Sequence, residues 1–340
     1  MIPEHGGGSG EELAGAAARA YDSPPGEPAR PAGPPNGSAV RSEPAVPPAP
    51  AKGSNDSGSQ AGRTPGTAKT RRTGRNLPVA LVVGVGMGAL AIVTLFTVKA
   101  TFLVYVGAAV GVALWELSRA LQTRGIGLPL VPVAAGAAAT ITLAYWEGTR
   151  ALTAAIGFTV IAILAWRMRG GTTGYLASVT AGVFALAYIP LLASFVSLML
   201  AAPDGARRTL VFLIVTVCSD IGGYFTGILT GRHLMVPAIS PKKTWEGLAG
   251  SVLACVLGGA IAVPTLLHAA VWQGVLVGAA AVTAATLGDL AASMLKRDLT
   301  IKDWGSILPG HGGILDRIDS LVITAPVVWL LLVVFLPHPH

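Results

Sequence analysis

Charge is scarce in this chain of 340 residues: 12% are Asp, Glu, Lys or Arg, 6% are aromatic and 52% are hydrophobic. Soluble globular domains carry about 25% charged residues, so the shortage excludes an ordinary water-soluble fold. A mean hydropathy of +0.62 fits a polytopic membrane protein instead. Cysteine is nearly absent. Cys218 and Cys255 both lie inside apolar runs, which reads as two small core residues rather than a disulfide or a metal pair. Acidic side chains are also few, 17 against 24 Lys and Arg, giving a formal net charge of +7. The basic excess lies beside apolar segments or in a Pro/Gly-rich tail. A membrane surface and anionic substrates are therefore the expected partners, and nucleic acid is not.

Residues 1–76 are dominated by Gly, Pro, Ala and Ser and show no periodic apolar face, so they are expected to form a disordered cytoplasmic tail. No apolar core with a cleavage site follows Met1, which argues against a secretory signal. From there, residues 77–337 read as a membrane-embedded domain. About 20 apolar residues cross a hydrocarbon core. Windows of that size predict nine helices, at 78–98, 100–118, 128–146, 151–166, 175–202, 209–229, 247–267, 271–291 and 320–336, with Pro190 placed to kink the fifth. The expected fold is all-α, a polytopic transmembrane helix bundle of about nine spans. With the tail in the cytoplasm, fifteen Lys and Arg fall in inside segments. Only Lys99, Arg150, Arg207 and Arg208 fall outside, which puts the polar 292–319 segment in the cytoplasm as well.

Three polar sites interrupt the apolar pattern. Asp220 lies within the sixth run, where an ionisable residue usually faces a cavity or a partner; a structural hydrogen-bonding role is the alternative. Gly223, Gly227 and Gly231 recur every fourth residue there and let another helix approach closely. The second site, Ser240-Pro241-Lys242-Lys243-Thr244-Trp245-Glu246-Gly247, sets ammonium and hydroxyl groups side by side, a donor set suited to phosphate oxygens. The third is Ser293–Asp319, which gathers four Lys/Arg, four Asp and a His between two apolar runs. If the eighth helix continues past the membrane surface, Asp289, Ser293 and Lys296 share one face. Pro309-Gly310-His311-Gly312-Gly313 must turn, after which Asp316 and Asp319 follow one helical turn apart. Hard cations such as Mg²⁺ bind carboxylates together with substrate phosphates. Asp289, Asp316 and Asp319, with Asp220 completing the shell, are thus the candidate metal ligands. Lys296, Arg297, Lys302 and Arg317 are the candidate phosphate clamps. His311 has three open roles: donating to a phosphate, shuttling a proton, or filling the turn. Trp304 is expected to anchor the loop at the interface.

The run Ser293-x-x-Lys296-Arg297-(four residues)-Lys302-Asp303-x-Gly305-x-x-Leu308-Pro309-x-His311-Gly312-Gly313-x-x-Asp316-Arg317-x-Asp319 resembles the fingerprint of phosphatidate cytidylyltransferases, without a departure. The upstream Ser240–Gly247 stretch and the Gly288-Asp289-Leu290 step are similar to the same family, and the resemblance covers roughly residues 80–336. So many fixed positions make it specific. It implies a multi-pass inner-membrane enzyme, a homodimer, that makes CDP-diacylglycerol and pyrophosphate from CTP and phosphatidic acid. It further implies a divalent metal on Asp289 and Asp316. The expected catalytic residues are Lys296, Arg297, Lys302, His311 and Arg317, and the expected substrate contacts are Ser240, Lys242, Lys243, Thr244 and Ser293. The residues alone fit a cytidylyltransferase for another lipid phosphate equally well. An ion-coupled transporter would show paired broken helices in two repeated halves, and the sequence shows none.

Overall fold

A computed structural model describes residues 77–237, 239–305, 307 and 312–336. The tail expected to be disordered, residues 1–76, and His311 lie outside the described residues. The described residues form ten α-helices: α1 (Leu77–Thr97), α2 (Lys99–Gln122), α3 (Leu130–Trp146), α4 (Gly148–Met168), α5 (Tyr175–Leu186), α6 (Leu192–Ala201), α7 (Gly205–Thr230), α8 (Trp245–Leu267), α9 (Val271–Asp298) and α10 (Leu315–Phe335). Among the described residues, seven helical segments are long and apolar enough to cross a membrane, with α5 and α6 counted as one continuous segment, Tyr175–Ala201. Val82–Thr97 and Leu130–Trp146 are apolar but shorter. These lengths and compositions are those of an integral membrane protein.

Pro190 does not break its span. It sits in a π-helical turn, Ala187–Leu191, that joins α5 to α6. The widened turn absorbs the missing N–H and the bulk of the ring, and Ser194 Oγ donates to the Pro190 carbonyl at 2.6 Å.

Small residues set the packing. A Cβ on Gly223 would sit 2.5 Å from Ser251 Oγ, and one on Gly222 would sit 2.6 Å from the Gly250 carbonyl, so α7 and α8 pack almost backbone to backbone. The glycine spacing in the sixth run serves the close approach expected of it. Cys255, fully buried on α8, points its thiol at the Val215 carbonyl of α7 at 3.2 Å, and both cysteines are free.

One buried and one half-buried cation fix the end of the bundle remote from the polar segment. Arg208, on α7, is 3% exposed. It pairs with Asp204 at 2.7 Å and donates to the Leu336 carbonyl, just past α10, at 2.9 Å. Lys99 Nζ donates to the Ala202 carbonyl at 2.8 Å. Arg208 is therefore a helix clamp, not a solvated loop charge as the orientation count treated it. Because the start of α7 meets the end of α10 there, the end of α7 and the start of α10 share the opposite end of the bundle. That is where the polar motifs meet.

One element departs from an all-α expectation. Strands β1 (Leu234–Val236) and β2 (Ser240–Thr244) form an antiparallel hairpin between α7 and α8, irregular in register. β1 is apolar but only three residues long, β2 is polar, and neither alternates. The hairpin closes instead on Glu246, which accepts from His233 Nδ1 at 2.6 Å and from the Arg232 backbone N–H at 3.2 Å.

Candidate active site

At the hairpin end, α7, β1, β2, α8 and α9 enclose a cavity of about 230 Å³. Asp220, Lys243, Thr244, Ser251, Thr286 and Asp289 are among the residues lining it. Lys243 Nζ and Asp289 Oδ2 are paired at 2.7 Å, each side chain about a third exposed. The hairpin thus carries a lysine across to α9. Thr244 caps α8, its oxygen accepting the Gly247 N–H at 3.1 Å.

Helix α9 runs on to Asp298, so the polar extension is helical, as the spacing of Asp289, Ser293 and Lys296 required. Lys296 pairs with Asp316 Oδ1 of α10 at 2.8 Å, and the two side chains are 15% and 8% exposed. Asp316 Oδ2 also accepts the backbone N–H groups of Trp304 at 3.0 Å and Gly313 at 3.1 Å. This carboxylate therefore ties the loop after α9 to the start of α10. Gly312 has a φ of +85°, a backbone conformation that a side chain would strain, and only glycine adopts it freely. At Gly288 an added Cβ would lie 2.9 Å from the Asp319 carbonyl. The Gly288-Asp289 step therefore lets α10 close on α9 where both bear carboxylates. The charge of Asp289 acts on Asp220 and on Asp319, and that of Asp316 on Asp319.

The sequence-predicted residues divide accordingly. Asp220, Lys243, Thr244 and Asp289 share the cavity wall, while Lys296, Asp316 and Asp319 adjoin them at the α9–α10 contact. Arg317 is exposed, and its charge acts on Asp220. Arg297 reaches back to the Ile239 carbonyl at 3.3 Å and so ties the end of α9 to the hairpin turn. Ser240 and Lys242 lie on β2, Ser293 on α9 and Lys302 in the exposed loop. Trp304 corrects an expectation: it is 4% exposed and a member of the core cluster that includes Leu117, Leu299 and Leu315, so it belongs to the core rather than to an interface.

One residue was missed altogether. Glu116 of α2 is 1% exposed, and its two oxygens accept the Ile314 N–H at 3.0 Å and the Leu315 N–H at 2.8 Å. These are N–H groups that the start of a helix leaves without partners. Added Cβ atoms on Gly305 and Gly313 would meet the same carboxylate at 2.5 and 2.6 Å. Both glycines make room for Glu116. The available signal was a lone Glu inside an apolar run, the same rule that singled out Asp220.

Residues 78–335 match the model of the cytidylyltransferase family. A phosphatidate cytidylyltransferase of Mycobacterium leprae is 38% identical over 282 residues, which cover 78% of this chain and 90% of that protein. The chain belongs to the cytidylyltransferase family. A phosphatidate cytidylyltransferase of Mycobacterium bovis is 37% identical over 277 residues, covering 78% and 90%. One from Synechocystis is 43% identical over 141 residues, covering 40% and 46%.

Asp289, Asp316 and Asp319 at the α9–α10 contact offer the oxygen donors that a hard divalent cation takes, with Lys296 among them. Among the described residues no three His, Cys, Asp or Glu side chains form a ready-made metal cluster. Asp289 and Asp316 each face an ammonium instead. A carboxylate has about four lone-pair positions, and the hydrogen bonds of Asp316 use three of them.

Proposed function

We propose that the chain is a phosphatidate cytidylyltransferase, which converts CTP and phosphatidic acid to CDP-diacylglycerol and pyrophosphate in phospholipid synthesis. The observation that carries this reading is the pairing of Lys243 with Asp289 and of Lys296 with Asp316 at one end of an apolar bundle. That end also bears the family's motifs. Both substrates are anionic, so the work of the site is to bring two phosphates together and neutralise charge as they react.

An oxygen of the lipid phosphate attacks the α-phosphorus of CTP, a new P–O bond forms, and the bond to the β-phosphate oxygen breaks to release pyrophosphate. No strong base is required, since the attacking phosphate is ionised near neutral pH. Lys243 reaches the cavity from β2 and is the first phosphate contact. Lys242, Ser240, Thr244 and Ser293 add donors around the head groups. Lys296, Arg297, Lys302 and Arg317 supply the positive charge that the leaving pyrophosphate needs, and His311 is assigned a catalytic role with them. Asp289 and Asp316, with Asp220 and Asp319 orienting, are the residues that would hold one or two Mg²⁺ ions. Such an ion, when bound, withdraws charge from the phosphates. Lys243 and Lys296 mark where these carboxylates favour a cation.

The same reading counts α1 and α3 as two further spans, nine in all, and faces the site to the cytoplasm. The bias of fifteen basic residues against four supports that orientation. A homodimer in the cell membrane completes it. Purified protein given labelled CTP and either phosphatidic acid or a polyprenyl phosphate tests the assignment: product with phosphatidic acid supports it, and product with the polyprenyl phosphate alone overturns it.

A further inference from the structure

A second cavity, of about 460 Å³, lies between loop 123–129, the end of α4 and the start of α5. It belongs to the same end of the bundle as the catalytic cavity, because Arg124 of that loop donates to the Asp298 carbonyl at the end of α9. Of the described residues that line it, Arg167 alone is charged. One of the five N–H donors of this guanidinium meets the Thr173 carbonyl at 2.9 Å, and the others have no acceptor among the described residues. Helix α5 meets the cavity uncapped. Its N-cap is Gly174, which has no side chain to offer, and the N–H groups of Leu176 and Ala177 have no acceptor among the described residues. Ser178 also lines the cavity. It is 4% exposed, a Cβ on Gly127 would lie 3.8 Å from its Oγ, and its hydroxyl has no hydrogen-bond partner among the described residues.

We infer that this cavity binds the phosphate group of an acidic membrane lipid, at a site separate from the catalytic cavity. A guanidinium, a buried hydroxyl and the first N–H groups of a helix together form a donor set for phosphate oxygens. In the catalytic cavity Asp220 and Asp289 stand against Lys243, whereas here no carboxylate offsets Arg167 among the lining residues described. The surroundings select a lipid over a soluble phosphate. Trp166 lines the cavity and is 41% exposed, and the Arg169 guanidinium lies over its ring at 5.0 Å. Met168 and Leu176 nearby are 69% and 77% exposed. Tryptophan and arginine among exposed apolar side chains are what the boundary between lipid and water favours. A phosphate held there bridges the α4–α5 connection to the loop that Arg124 ties to α9.

The probe is tritiated phosphatidylglycerol, an acidic lipid without the phosphomonoester that the proposed reaction needs, bound at equilibrium to the full chain in detergent. Unlabelled phosphatidylglycerol should displace it at least about tenfold more effectively than phosphatidylcholine, which carries no net charge. Arg167→Gln is expected to weaken binding about tenfold to a hundredfold and Ser178→Ala about tenfold, the range of hydrogen bonds to a charged group. Ser178→Ala loses no internal bond of the hydroxyl and should unfold at the wild-type temperature, so it decides the matter even if Arg167→Gln, which also loses the Thr173 contact, fails to fold. Two controls should bind as wild type does: Arg150→Gln, exposed at the other end of α4, for net charge, and Lys243→Ala for the catalytic cavity. Weaker binding by Ser178→Ala with both controls intact supports the inference. Absent binding by wild type, equal displacement by phosphatidylcholine, wild-type affinity in Ser178→Ala, or an equal loss in either control overturns it. Displacement by inorganic phosphate as effective as by the lipid would name a soluble ligand and overturn the lipid assignment. The readout involves neither CTP nor turnover, so its outcome is independent of the catalytic reading.

Discussion

Glu116 accepts the backbone N–H of Leu315 at 2.8 Å across 199 positions of sequence. Helix α2 thereby fixes the start of α10, and with it Asp316 and Asp319. Glu116→Ala leaves two N–H groups without an acceptor, each costing about 1–3 kcal/mol. The variant should unfold at a clearly lower temperature in detergent and lose activity with it. Glu116→Gln keeps one acceptor oxygen and should fall between the two. Equal unfolding temperatures for all three proteins would contradict this role.

Asp289→Asn and Asp316→Asn should both abolish turnover but differ in stability. The Asp289 pair is about a third exposed, and such pairs contribute about 0–1 kcal/mol, so Asp289→Asn should fold as wild type does. Asp316 is 8% exposed and also holds the N–H groups of Trp304 and Gly313. Breaking a buried pair costs about 3–5 kcal/mol, so Asp316→Asn should be markedly less stable. Thermal unfolding beside an activity assay reads both, and equal stabilities would contradict the division.

Lys243→Ala should raise the apparent KM for an anionic substrate about tenfold or more, as expected for a lost hydrogen bond to a charged group. It should leave the unfolding temperature near wild type, since the side chain is partly exposed. Steady-state kinetics with each substrate varied in turn checks this. An unchanged KM for both would remove Lys243 from the binding wall.

Gly288→Val should push α10 off α9, because even a single Cβ there lies 2.9 Å from the Asp319 carbonyl. Overpacking of this kind costs about 1–3 kcal/mol. Activity should fall further than stability, since the contact also sets Asp289 against Asp319. Wild-type activity with lowered stability would sever that link.

The apolar runs and glycine spacing made the helices legible, because length and hydropathy alone decide what can cross a bilayer. Asp220, Lys243, Asp289, Lys296 and Asp316 were legible for the related reason that charge beside a membrane is costly and rarely idle. Glu116 was not singled out, since it sits alone in an apolar stretch and acquires its surroundings only when distant helices pack. The hairpin at Leu234–Thr244 was hidden because β1 has only three residues, β2 is polar, and the pair is held by Glu246 rather than by an alternating apolar face. Trp304 was misplaced because an amphipathic ring near a membrane surface fits either an interface or a core. Its membership of the core cluster that includes Leu117, Leu299 and Leu315 decides for the core.

The central claim is tested most directly by following pyrophosphate release from CTP by the purified protein, with and without phosphatidic acid, Mg²⁺ and a chelator. Release that requires both the lipid and the metal, and that Asp289→Asn abolishes without unfolding the protein, is the expected result. Release that is indifferent to phosphatidic acid, or that persists at wild-type rate in Asp289→Asn, would contradict the account.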